Sequence, residues 1–78
     1  MKNATIYTTP TCHFCKMTKA FFAENGVQYE EKDVTQDAEA RDAMIQKSGQ
    51  MGVPVIEIGG QIVVGFDQPK LKELLQIN

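Results

Sequence analysis

Cys12 and Cys15 stand three residues apart in Thr11-Cys12-His13-Phe14-Cys15 and are the chain's only cysteines. A pair at this spacing can exchange disulfides, close a structural disulfide or help to hold a metal. Zinc asks for about four ligands. Cys12, Cys15 and His13 supply at most three, with no other Cys or His in the 78 residues. A c-type haem needs its histidine after the second cysteine, and His13 precedes it. A structural disulfide stays open, although a loop this short adds little chain-entropy stabilisation.

Exchange chemistry needs one sulfur ionised and a second within reach. The run Asn3-Ala4-Thr5-Ile6-Tyr7-Thr8 is β-branched and aromatic and stops at Thr9-Pro10-Thr11, so the first cysteine falls where a strand turns into a helix. Unpaired N–H groups and the positive end of the helix dipole favour thiolate there. Such cysteines show pKa values of about 3.5 to 7.5 against about 8.5 for a free thiol. Cys12 is therefore the candidate nucleophile. Cys15, one helical turn on, is the candidate resolving thiol, and a protonated His13 would add a weak through-space charge.

The elements that must hold this pair follow from periodicity. The spacing predicts a strand over 3–8 and a helix over 12–25 opened by Thr11 or Cys12, with Phe14, Met17, Ala20, Phe21 and Phe22 on its apolar side and Gly26 as its stop. A more polar strand is expected over 27–34. A helix over 35–48 carries Ala40, Ala43, Met44 and Ile45 and ends at Gly49. Strands over 53–58 and 61–64 flank Gly59-Gly60, a pair suited to a primed hairpin turn. Asp67 caps a last helix with Pro69 in its first turn and Leu71, Leu74 and Leu75 along its buried stripe. The order βαβαββα calls for an α/β fold, a four-stranded mixed sheet with helices on both faces, and residues 1–78 are expected to form a single domain.

Pro54 is the second informative position. It either opens its strand or is a cis-proline facing the Cys12 sulfur, leaving the Val53 backbone to pair with an extended substrate.

Composition sets the outer limits. Eight basic and ten acidic residues give a net charge of −2, which argues against nucleic acid as a ligand. No apolar run approaches the roughly 20 residues of a membrane span, and the start Met1-Lys2-Asn3 leads into no signal-like stretch. A cytoplasmic monomer without membrane contact is expected.

Taken in order, Ile6-Tyr7-Thr8, Cys12-x-x-Cys15, Gly52-Val53-Pro54 and Gly65-Phe66-Asp67 resemble a glutaredoxin-like chain of the thioredoxin fold, over essentially the whole length. The likeness is to the short bacterial redoxins of the YruB and NrdH types. The resemblance implies a cytoplasmic thiol–disulfide oxidoreductase and electron carrier, with Cys12 as nucleophile, Cys15 as resolving thiol and a redox-active Cys12–Cys15 disulfide in place of any bound cofactor. It implies a substrate groove drawn from His13, Phe14, Val53, Pro54, Gly65, Phe66 and Asp67, with Phe66 either in the groove or packed under the last helix. Disulfide-bearing proteins or small molecules are the implied substrates, and thioredoxin reductase or glutathione the electron source. Glutathione-using glutaredoxins often carry a lysine three residues before the first cysteine, a basic residue near the Val-Pro loop and a Gly-Gly-x-x-Asp turn. Here Thr9, Met51 and Val64-Gly65-Phe66-Asp67-Gln68 stand there, which leaves backbone N–H groups at the last helix to hold a carboxylate. Two alternatives stand beside the electron carrier: a glutathione-dependent deglutathionylating enzyme, and a non-catalytic dimer whose paired cysteines share an iron–sulfur cluster.

Overall fold

In the computed structural model, which describes residues 4–76, the elements run β1 (Ala4–Thr8), α1 (His13–Glu24), β2 (Tyr29–Asp33), α2 (Ala38–Ser48), β3 (Val55–Ile58), β4 (Gln61–Val64) and α3 (Gln68–Leu75). They form a four-stranded sheet in the order β2-β1-β3-β4. β1 pairs with β2 in parallel and with β3 antiparallel, and β4 closes the β3 hairpin. The expected mixed sheet is the one observed, and Gly59 and Gly60 both take positive φ in its hairpin turn.

Alternation along β1 divides the interior in two. Ile6 and its β3 partner Ile56 join Phe21, Phe22, Leu71 and Leu75 in a core between the sheet and α1 and α3. Tyr7 and its partner Val55 join Val34, Ala40 and Met44 under α2. Each such side chain stabilises the fold by roughly 1.5 to 3 kcal/mol when fully buried. No helix among the described residues is long and apolar enough to cross a membrane.

Several boundaries and one helix face differ from the sequence-based expectation. Phe21 and Phe22 of α1 are buried as expected, but Phe14, Met17 and Ala20 are exposed, and Cys15 and Thr18 take the inward positions. Thr18 can sit there because its hydroxyl donates to the Phe14 carbonyl at 2.8 Å, so no buried polar group is left unpaired. α2 begins at Ala38, not Thr35. Asp33 Oδ1 accepts from the Thr35 N–H at 2.9 Å and from its hydroxyl, making a turn, and Asp37 then caps the helix by accepting from Ala40 N–H at 3.1 Å. β2 is shorter than expected by Val27, Gln28 and Val34. β3 starts at Val55 because proline has no ladder N–H, and the Val53–Pro54 bond before it is cis. Asn3, expected in the first strand, lies outside the described residues.

Phe22 is fully buried at the centre of the α1 layer. Phe22→Ala is expected to cost about 3 to 5 kcal/mol, a large share of the roughly 4 to 12 kcal/mol available to a chain of this length. Urea unfolding measures it, and a loss under about 1 kcal/mol would contradict this core assignment.

Candidate active site

β1 ends at Thr8, whose carbonyl accepts from Val34 N–H at 3.0 Å, and a turn closed by Cys12 N–H on the Thr9 carbonyl at 3.3 Å delivers Cys12 to the start of α1. Cys12 is the helix N-cap, with extended backbone at φ −83° and ψ 112°. Its Sγ accepts the Cys15 N–H at 3.0 Å, the part usually played by a serine or aspartate oxygen. No acidic side chain occupies the first turn of α1, so nothing anionic on that turn competes with the sulfur for the helix end. Cys12 and Cys15 form a disulfide with their Cα atoms 5.2 Å apart. Cys15 is 1% exposed while Cys12 is half-buried, so only one sulfur offers a ready approach to a partner. His13 is exposed, its ring edge-on to Phe14 at 5.7 Å between centroids.

Beside this turn runs a groove of about 340 Å³ lined by Phe14, Val53, Pro54, Val64, Gly65, Phe66 and Asp67. It gathers every residue expected at the substrate site except His13, which is not part of its lining. Val64 is the addition. Its exposure, 50%, follows from strand alternation, because Val63 before it faces the core. Phe66, half-buried, lines the groove, and the ring contact it makes is edge-on to Phe21 of α1 at 5.9 Å, against the core that α3 also joins. The loop containing Pro54 is pinned by Gly65 N–H donating to the Pro54 carbonyl at 2.8 Å, whereas Val53 has no hydrogen-bond partner among the described residues. Asp67, the only charged residue lining the groove, caps α3 by accepting from Lys70 N–H at 3.3 Å. Phe14 at 56% and Met51 at 67% add exposed apolar surface at the site and on the adjoining loop. Among the described residues no group of three or more His, Cys, Asp or Glu could hold a metal ion.

A cysteine pair at the start of a helix, beside a groove that Phe14 shares with the Val53–Pro54 loop on such a sheet, is the arrangement of thioredoxin-like thiol–disulfide redox proteins, and this chain is of that class. The family model described as glutaredoxin matches residues 4–63. The chain belongs to the glutaredoxin family. It is 39% identical over 71 residues to a glutaredoxin-like protein of the rubredoxin operon of Clostridium pasteurianum, covering 91% of this chain and 95% of that one. Among solved structures it is similar to a variant of the thioredoxin-like protein BC3987, with TM-score 0.92, 38% identity and full coverage of both chains. It is also similar to the glutaredoxin-like NrdH-redoxin of Escherichia coli, with TM-score 0.82, 29% identity and coverage of 92% and 93%; that protein has a thioredoxin-like activity profile.

A polar cluster links the segments that carry the two sulfurs. Buried Thr8 donates its hydroxyl to Glu31 Oε2 at 2.9 Å, and the Lys19 ammonium on α1 reaches the same oxygen at 2.8 Å. The Lys19 hydrogen bond holds the Glu31 carboxyl below the usual carboxylate value, with the Thr8 bond acting in the same direction and burial opposing. Because the folded-state value is depressed, the stabilisation is present above the ordinary carboxylate pKa of about 4.3 and is lost as pH falls through the lowered value. Glu31→Gln should therefore cost no more than about 1 kcal/mol near neutral pH, given the exposure of the pair, and its penalty should fade below about pH 4. Denaturant midpoints taken at pH 7 and at steps down through the acid range test this; a penalty that does not shrink as pH falls would contradict it.

Proposed function

We propose that this chain is a dithiol electron carrier that reduces disulfides, with protein disulfides as its main substrates. The observation that carries this reading is the Cys12 sulfur seated as N-cap on the Cys15 N–H, beside a buried Cys15. In the reduced carrier, the Cys12 thiolate attacks one sulfur of a substrate disulfide, forming a mixed disulfide and releasing the other substrate sulfur as a thiolate. Cys15 loses its proton and attacks the Cys12 sulfur, forming the Cys12–Cys15 disulfide and releasing the second substrate thiolate, which takes up a proton from water. Two electrons pass from carrier to substrate. An external reductant, a flavin-linked thioredoxin reductase or glutathione, then restores the dithiol.

The groove bears on which substrate and which reductant fit. Its lining is apolar apart from Asp67, and no lysine or arginine belongs to it. A peptide with two carboxylates gains little there, whereas an extended protein segment can lay apolar side chains along Phe14 and Val64 and pair its backbone with the free N–H and C=O of Val53. The NrdH-redoxin likeness supports the same preference. The cytoplasm, where reductases of both kinds operate, is the compartment proposed for this exchange.

Cys12→Ser is expected to abolish reduction of insulin or a model disulfide, and Cys15→Ser to accumulate the mixed disulfide, visible by mass spectrometry. Turnover should be at least about tenfold faster with NADPH and thioredoxin reductase than with glutathione and its reductase, a gap of roughly 1.4 kcal/mol. Retained activity in Cys12→Ser would remove the mechanism, and faster turnover with glutathione would reverse the choice of reductant.

A further inference from the structure

Glu31 has no part in the exchange scheme, yet one of its oxygens is where the strand leading to Cys12 meets the helix carrying Cys15. Thr8, 1% exposed, aims its hydroxyl at Oε2, and that bond fixes the oxygen to which the Lys19 ammonium is drawn. Lys19 lies four residues beyond Cys15, on the same side of α1 and about 5 to 6 Å away between Cβ atoms. Left alone, a long lysine side chain swings freely, and its charge would reach the sulfurs of its own helix. Here it is held against β2, neutralised by a carboxylate 2.8 Å away.

We propose that Glu31 is a positioning residue for the redox pair: by holding and neutralising the Lys19 ammonium on β2, it sets how much of that charge the Cys12 and Cys15 sulfurs feel. The role rests on the dithiol reading of the site and adds a residue that tunes it from outside the groove. The other ionisable groups around the pair are His13 and Lys16 on α1, Asp33 on β2 and Asp67 across the groove. None of them contacts Oε2, so substitutions at Glu31 and Lys19 leave their identities and charges in place.

The two substitutions must act in opposite directions. Glu31→Gln keeps an acceptor for Thr8 but frees the lysine charge, which favours thiolate. Lys19→Met leaves the carboxylate unpaired, which opposes it. At an effective distance of about 10 Å in a well-solvated site, one charge is worth a change of about twofold to threefold.

The test measures the Cys12 alkylation rate below its pH midpoint, together with the equilibrium against a reference dithiol couple, at low and high salt. Glu31→Gln should alkylate faster, by up to about two to three times, and shift the equilibrium, read above the midpoint, toward the reduced carrier by a similar factor. Lys19→Met should do the reverse, and both effects should shrink in about 1 M salt, where the screening length falls to about 3 Å. Lys47→Met breaks a comparable pair, Lys47–Glu57 at 2.7 Å, and should change neither readout. Shifts of the same sign in Glu31→Gln and Lys19→Met, or none beyond the Lys47→Met control, would overturn the proposal. Alkylation needs no substrate disulfide or reductase. A wild-type chain that reduces nothing would sink the proposed function while this comparison still decides the role of Glu31.

Discussion

A sulfur in place of an oxygen at a helix N-cap is the contact on which the rest depends. Cys12 Sγ takes the Cys15 N–H that the helix cannot satisfy itself, and the remaining dipole at that end acts on the same atom. The arrangement asks for an abrupt change from strand to helix, and Thr9-Pro10-Thr11 makes it, since a proline cannot continue a ladder. It asks that no carboxylate compete in the first turn, and none does. It also asks that the second sulfur lie on the inward side, which is why α1 gives Cys15 and Thr18 core positions that larger apolar residues would otherwise fill.

Sheet topology brings the other parts of the site to that end. β1 and β2 are parallel, so α1 must cross back over the sheet and its N-terminus meets the C-terminal edge of β1. β3 runs antiparallel to β1 with Tyr7 opposite Val55, which sets the start of β3, and hence Val53 and Pro54, beside the same edge. β4 returns with Val64 opposite Val55, so Gly65 to Asp67 arrive on the far side of the proline loop. One thiol turn, one proline loop and one helix start converge because three pairing registers leave them no alternative.

Much of this was legible from residue types. Strand periodicity, Gly59-Gly60 and the Leu71, Leu74, Leu75 stripe mark elements that the structure contains within a few residues. The cysteine pair and Pro54 mark the site. The face of α1 was not legible, because helical spacing weighs Phe14 and Met17 as core and gives little weight to Cys15 and Thr18. Burial there follows the cysteine turn, which places Cys15 inward and leaves Phe14 exposed on the lining of the groove. The start of α2 was hidden for a different reason: Asp33 and Thr35 form a local turn that competes with helix, and only the hydrogen bonds reveal which side wins. Val64 reads as an ordinary strand residue until the groove beside it is seen. Glu31 carried no signal either, since its neighbours Thr8 and Lys19 are 23 and 12 residues away and meet it only through the fold.

The groove and the cluster beneath α1 treat charge in opposite ways, and the difference follows from what each must do. In the groove, Asp67 is engaged in capping α3 and the other lining residues are apolar or backbone, so contact there is governed by shape and by the free amide of Val53. Under α1, a full ion pair sits within a turn of Cys15, but with its two charges 2.8 Å apart it presents a dipole and not a net charge. A dipole's field falls off faster with distance than that of a lone ion, so the pair acts on the Cys12 sulfur more weakly than an unpaired lysine would. With that nearby charge paired, the N-cap contact, fixed by backbone geometry, is the polar contact made directly to the Cys12 sulfur.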